Sequence, residues 1–320
     1  MSKLGKSILF GVIVIVIGVV ILITALAISG WKLDSDFEMK VYDCSTEISS
    51  FNLDFDMGSL KTQFYDGEKI KIEYPENRSL KTTFTETEDG TLKMVTKKHF
   101  KLFQFNMWFD KVPTTVVSVP RGSVLNLDLK INAGKVEVAS GDYGNITIDL
   151  NAGEINFEDI SCKDNICNIN AGKVNFKTLN SLSNTFKLNA GSVKITDFVG
   201  NDVDTTLNAG NFDITNASCK TWKMKVNAGD IYFGNLTCQD VLFNVNAGNI
   251  KVNTWIGNIL KLDVDAGTIN VVVGGAKSDY SISVDKTSGS CNLQGQTGQD
   301  SNKCIEVDLD AGNIDVNFTS

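Results

Sequence analysis

Proline is nearly missing from this 320-residue chain, with three residues, and histidine occurs once, as His99. Scarce proline and evenly spread charge exclude a proline-rich linker or a long disordered tail. A single histidine with no recognisable partner leaves no basis for a histidine relay, so His99 is read as structural. No G-x-S-x-G, phosphate-cradling glycine loop, C-x-x-C or H-E-x-x-H occurs. Ser283-Val284-Asp285-Lys286 fits S-x-x-K by letter, but its companion motifs are missing and it falls in an expected strand. The seven cysteines are an odd number with no zinc spacing. Beyond residue 31 there are 28 basic and 38 acidic residues, a balance of −10, which argues against nucleic acid as a partner.

Helical periodicity is absent too, and a strict repeat stands in its place. Asn-Ala-Gly begins at Asn132, Asn151, Asn170, Asn189, Asn208, Asn227 and Asn246, every 19 residues, and returns as Asp-Ala-Gly at Asp265 and Asp310. A fixed period of this length signals stacked coils. Two positions after each glycine sit Val136, Ile155, Val174, Val193, Phe212, Ile231, Ile250, Ile269 and Ile314. Two further on sit Val138, Phe157, Phe176, Ile195, Ile214, Phe233, Val252, Val271 and Val316, with polar residues between. This period-two alternation marks a strand with one face inward. A second alternating run precedes each triplet, as in Phe186 and Leu188 or Leu262 and Val264. A lone apolar residue (Ile160, Leu179, Phe198, Ala217, Leu236, Trp255) is placed to fill a third side.

One coil cannot bury its own inner face, but coils stacked at about 4.8 Å share one core. Asp56-Met57-Gly58 and Thr287-Ser288-Gly289 look like degenerate triplets, so about ten coils are expected, in a rod of roughly 50 Å. In the triplet, Gly permits a positive φ, Ala is small enough to face inward, and stacked Asn amides can form a ladder. An ion-binding Asn/Asp row is the alternative, but the Gly-rich calcium nonapeptides are absent.

The ends differ from the repeats. Ile8 to Ile28 is an uncharged run of 21 residues, about 31 Å as a helix and enough to span a bilayer. A cleaved signal peptide is the alternative, with Ala25-Leu26-Ala27 as its site, but the run is long for one. Lys3 and Lys6 before it, against Lys32 and then Asp34, Asp36 and Glu38 after it, put the N-terminus in the cytoplasm. Expected divisions are a cytoplasmic tail (1–7), a transmembrane helix (8–28), a stalk (29–36) and a β-solenoid domain (37–320). Within the last, 37–125 holds irregular first coils and a cap, and 126–320 the regular repeats. Leu80 to Thr85 and Thr91 to Thr96 form a hairpin around Glu88-Asp89-Gly90, and Phe103, Phe105, Met107 and Phe109 alternate nearby. The fold expected is all-β: a single-stranded β-solenoid of 19-residue coils behind one N-terminal transmembrane helix.

Glycan chemistry would need two carboxylates within reach of one sugar bond. Outward acids Glu137, Asp213 and Asp315 share one strand position but do not fall on adjacent coils, and Glu158 and Asp159 lie at a corner without an evident partner. Cys219 and Cys238 stand one period apart, within reach of a disulfide, whereas Cys162 is three coils from Cys219. Cys167 and Cys291 fall in inward slots. No catalytic, cofactor-binding or metal-ligating residue is therefore assigned.

The apolar anchor, the Val117-Ser118-Val119-Pro120-Arg121-Gly122 lead-in and the x-Ala-Gly-x-[Val/Ile]-x-[Val/Phe] coils from Asn132 resemble a bacterial putative adhesin family of membrane-anchored β-strand-repeat proteins. The resemblance covers most of residues 40–320. It implies a β-solenoid of the cell envelope with adhesion as its role, and carries over no catalytic residues. The expectation is a non-enzymatic envelope protein that is held in the lipid bilayer by residues 8–28. Its solenoid faces outside and binds an envelope protein or wall polymer. A carbohydrate-active enzyme on the same scaffold, or an envelope-stress regulatory partner, are the alternatives.

Overall fold

A computed structural model describes residues 37–98 and 112–319. The expected tail, transmembrane helix and stalk lie outside the described residues, as do His99 and the aromatic stretch Phe103 to Phe109. Among the described residues no helix is long and apolar enough to cross a membrane.

The chain is a β-solenoid of about ten coils. Each regular coil has three straight sides. In Glu154–Ile169, residues 154–157, 159–162 and 164–169 pair with the next coil, while Glu158 and Lys163 are skipped at two corners. Asn151-Ala152-Gly153 makes the third corner. Neighbouring coils run parallel with every partner 19 residues away: Ile155 faces Val174, then Val193, Phe212, Ile231, Ile250 and Ile269. The constant length is thus what keeps one face inward, since a one-residue slip would turn every side chain over.

All of the expected inward residues on the first side, from Val136 to Val316, are buried, and so are the single residues of the second side. Volumes compensate along that second side. Phe198 and Trp255 are followed two residues on by Gly200 and Gly257, where a Cβ would sit 2.6 Å from the respective ring. Where the first residue is Ala217 or Leu236, the second is Cys219 or Cys238. Trp222 packs 5.4 Å from Phe198 and 5.0 Å from Phe233, its indole nitrogen donating to Thr205 Oγ1 at 3.1 Å. Polar residues enter inward slots of the third side: Asn165 and Asn184 where other coils have Ile146, Val203 and Val241, and Thr205 between Phe186 and Met224, all buried. Asn184 accepts from Ser181 Oγ at 2.5 Å, while Asn165 Oδ1 has no partner.

The corner triplet forms the amide ladder. Each Asn donates its side-chain N–H to the Asn one coil earlier, from Asn246 back to Asn132, over 2.6–3.0 Å. Two details of the triplet differ from expectation. Ala152, Ala171, Ala190 and Ala209 are exposed, so alanine is small on the outside of the corner rather than inside it. Glycine is required by close approach more generally than by φ. Gly210 has φ +122°, yet Gly248 lacks a positive φ, and in both a Cβ would fall within 2.7 Å of the carbonyl oxygen of the preceding coil's glycine.

The coils do not stack in chain order at either end. Asp265's coil pairs directly with Asp310's (Val264 with Leu309), and the Thr287-Ser288-Gly289 coil lies beyond it (Lys286 with Leu309). The steps around Thr287, 22 residues from Asp265 and 23 on to Asp310 instead of 19, are therefore a bypass and return, and not two loosened coils in sequence. The start of the domain mirrors this. Ser50–Phe55 lies between Leu125–Ile131 on one side and Thr91–Lys98 on the other. Both sequence-terminal coils are clamped one rung inside the rod. The outer edge at the start is closed by antiparallel strands: Leu80–Glu86 on Thr91–Lys98, and Glu38–Asp43 on Lys71–Glu76. At the other end Gln296 bridges Ile282 and Leu293 is buried beneath the loop. At the start, the outermost strands of this closure thus run antiparallel to the stack and do not continue its parallel ladder, which blunts the edge on which rods otherwise join.

Candidate functional site

The outward residues of the first side form a row across the rod: Lys61, Glu137, Asn156, Asn175, Lys194, Asp213, Tyr232, Lys251, Asn270 and Asp315. A shallow groove of about 680 Å³ runs over the first part of it, joined by the corner residues Glu158, Lys177 and Thr196. The strands hold the row because its residues alternate with buried Val136, Ile155, Val174 and Val193. Rung spacing places one polar group about every 4.8 Å along the groove.

The groove is built from amides and balanced ion pairs. Asn175 donates to Asn156 Oδ1 at 2.7 Å and to Glu154 Oε1 at 3.1 Å. Glu137 is paired with Lys135 at 2.7 Å, and both are exposed. Glu158 and Asp159, for which the sequence offered no partner, share Lys177 at 3.7 and 2.9 Å. Hydrogen bonds from Lys177 and Thr178 hold the Asp159 carboxyl below the usual range. Further along, burial pushes the Asp213 carboxyl up against the opposing pull of Lys194.

Glu137, Asp213 and Asp315 do share one row and are not on adjacent coils, with three other residues between each successive pair. Sequence reasoning missed a different juxtaposition: Glu137 and Glu158, on neighbouring coils, line the same groove. The signal was there, since Glu158 lies one period and two residues beyond Glu137. Ser283 and Lys286 lie three apart on Ser281–Lys286, hence on opposite faces of a strand, and form no nucleophile–base pair. Among the described residues no group of three or more His, Cys, Asp or Glu could hold a metal ion. Cys167 is buried and Cys291 packs against the core. Cys219 and Cys238 face each other on adjacent coils.

The family model described as Toastrack DUF4097 matches residues 48–317. No curated protein matches the chain. Among solved structures, it resembles a "putative lipid binding protein" from Parabacteroides distasonis. The two are 14% identical over 88% of this chain and 97% of that one, with a TM-score of 0.42. It also resembles a "putative adhesin" from Parabacteroides merdae, 9% identical over 86% and 96%, with a TM-score of 0.43.

Proposed function

The chain belongs to the Toastrack DUF4097 family, and from that premise we propose that it is a non-enzymatic binding protein of the cell envelope. Residues 8–28 anchor it in the membrane as a single pass, with 1–7 in the cytoplasm and 29–36 as a stalk. The solenoid stands outside and presents its first side to a wall polymer or an envelope protein. The observation that carries this reading is the groove over Glu137, Asn156, Asn175 and Lys194. Its donors and acceptors recur at the coil spacing, so a long ligand laid along the rod meets the same chemistry several times. Many weak contacts then share the binding energy, and no single side chain dominates.

The test is retention of the full chain on isolated envelope fractions. Glu137→Ala, Asn156→Ala, Asn175→Ala and Lys194→Ala are made singly and together. Each single change is expected to weaken retention less than about threefold, and the combined change more than about tenfold, since a 1.4 kcal/mol loss is tenfold. Full retention by the combined variant refutes the face. Protease or antibody added to intact cells reads the orientation, and a solenoid reached only after lysis refutes the outside placement.

A further inference from the structure

Cys219 and Cys238 occupy one slot on successive coils and are direct partners in the parallel ladder. Their Sγ atoms lie 2.8 Å apart. Partnered backbones about 4.8 Å apart fall within the Cα separation a disulfide spans, and an S–S bond of about 2.05 Å needs a closure of less than about 1 Å. The slot is flanked by Gly200 on one coil and Gly257 on the other, each covered by the ring two residues before it, Phe198 or Trp255, so the two sulfurs are one another's slot neighbours. Cys238 is buried, whereas Cys219 is only partly so and can meet a reagent from solvent. None of the remaining cysteines has a cysteine as its ladder partner. Cys167 stacks on Ile148 and Phe186, Cys291 on Ile314, and Cys304 on Ile259 and Ser281.

We propose that Cys219 and Cys238 form a disulfide that staples the Asn208 coil to the Asn227 coil at the corner between the second and third sides. The oxidant is a small-molecule disulfide. The Cys219 thiolate attacks one of its sulfurs and expels the other half as a thiolate, giving a mixed disulfide. The Cys238 thiol then loses its proton and displaces the second half from Cys219. Two cysteine thiols and one external disulfide become one protein disulfide and two external thiols. Contact with the Cys219 thiol, and after it burial, raises the Cys238 thiol. The first of these causes disappears once Cys219 is in the mixed disulfide, so the second step is eased by the first.

The full chain is incubated with oxidised glutathione, denatured in alkylating reagent and weighed before and after reduction. Five of the seven cysteines are expected to be alkylated before reduction and all seven after it. Peptide mapping should return one cross-linked species that joins the peptides of Cys219 and Cys238. Cys219→Ser should leave six alkylated without reduction. Seven alkylated cysteines in the unreduced wild-type chain overturn the proposal. So does a cross-link between other cysteines, or a glutathione adduct on Cys219 that persists without resolving.

Discussion

Asn132 donates its side-chain amide to the Asp56 carboxylate at 2.7 Å, across 76 residues of chain. The contact ends the corner ladder. Every amide from Asn246 to Asn132 donates towards the start of the rod, so the last donor needs an acceptor that has nothing to donate. A carboxylate meets that need and also receives Lys98 N–H at 3.1 Å and Lys97 Nζ at 3.4 Å. Burial alone would raise the Asp56 carboxyl, but these partners hold it below its usual range. Asp56→Ala is expected to cost about 2 kcal/mol, since several charge-assisted bonds lose one acceptor together. Asn189→Ala, in the exposed middle of the ladder, should cost about 1 kcal/mol or less. Denaturant melts of both variants check this, and an equal or reversed order would show that the ladder's end has no special role.

The register gives a sharper contrast. Val193 is fully buried and Lys194 beside it is exposed. Val193→Asp should cost at least about 4 kcal/mol and unfold the middle of the rod, because an unpaired carboxylate would sit in the core. Lys194→Asp sets a like charge opposite Asp213 and should cost about 1 kcal/mol or less. Thermal melts of the two decide it. Comparable losses would mean that the inward face is wrongly assigned.

The same alternation explains how much was legible in the sequence. Val136 to Val316 could be placed inward because side chains in a strand alternate, and the 19-residue period carried that assignment from coil to coil. Which coil stacks on which was not legible at the ends. Leu309 pairs with both Val264 and Lys286, yet any coil with the same pattern would satisfy the local rules equally. Alanine's outward position escaped for a related reason, because size alone does not give direction. Gly248 shows the limit from another side: its need is set by the carbonyl of Gly229 on the previous coil, which no local φ preference records. The groove escaped notice because Glu137 and Glu158 differ by 21 residues, and a search at the strict period passes over diagonal neighbours.

The cap should respond to acid. Glu86 accepts hydrogen bonds from Tyr42 Oη, from Ser45 N and Oγ, and from Thr46 N and Oγ1, all within 2.7–3.1 Å. Burial alone would raise its carboxyl, but these donors outweigh burial and hold it far below the usual range. A depressed folded pKa gives stability that is present above the unfolded value, about 4.3, and is lost as pH falls towards the folded one. Protection of the Ser45 and Thr46 amides from hydrogen exchange should therefore fall below about pH 4. Glu86→Gln should flatten that dependence and cost about 1 kcal/mol at neutral pH, solvent access keeping it small. Protection that is level between about pH 3 and pH 6 in the unaltered chain would contradict the assignment.

Glu137 and Glu158 supply the strongest case against a binding-only role, since two carboxylates in one groove are what glycan hydrolysis requires. Their surroundings argue otherwise. An acid catalyst needs a carboxyl kept protonated by an apolar pocket, and its partner needs a defined distance across the scissile bond. Both residues are instead more than half exposed, and each is paired with a lysine, Lys135 or Lys177. No aromatic side chain lines the groove except Phe157 and Phe176, which are buried in the core and offer no stacking platform for a sugar. Wild type is expected to release no sugar from wall glycans, and Glu137→Gln and Glu158→Gln to leave retention on envelope fractions within about threefold of wild type. The two classes differ in the shape of the response. A binding face loses function gradually as several coils are changed, whereas an enzyme loses turnover at one substitution with the fold intact. Measurable glycan release by wild type that disappears in either single variant would replace the binding reading with a catalytic one.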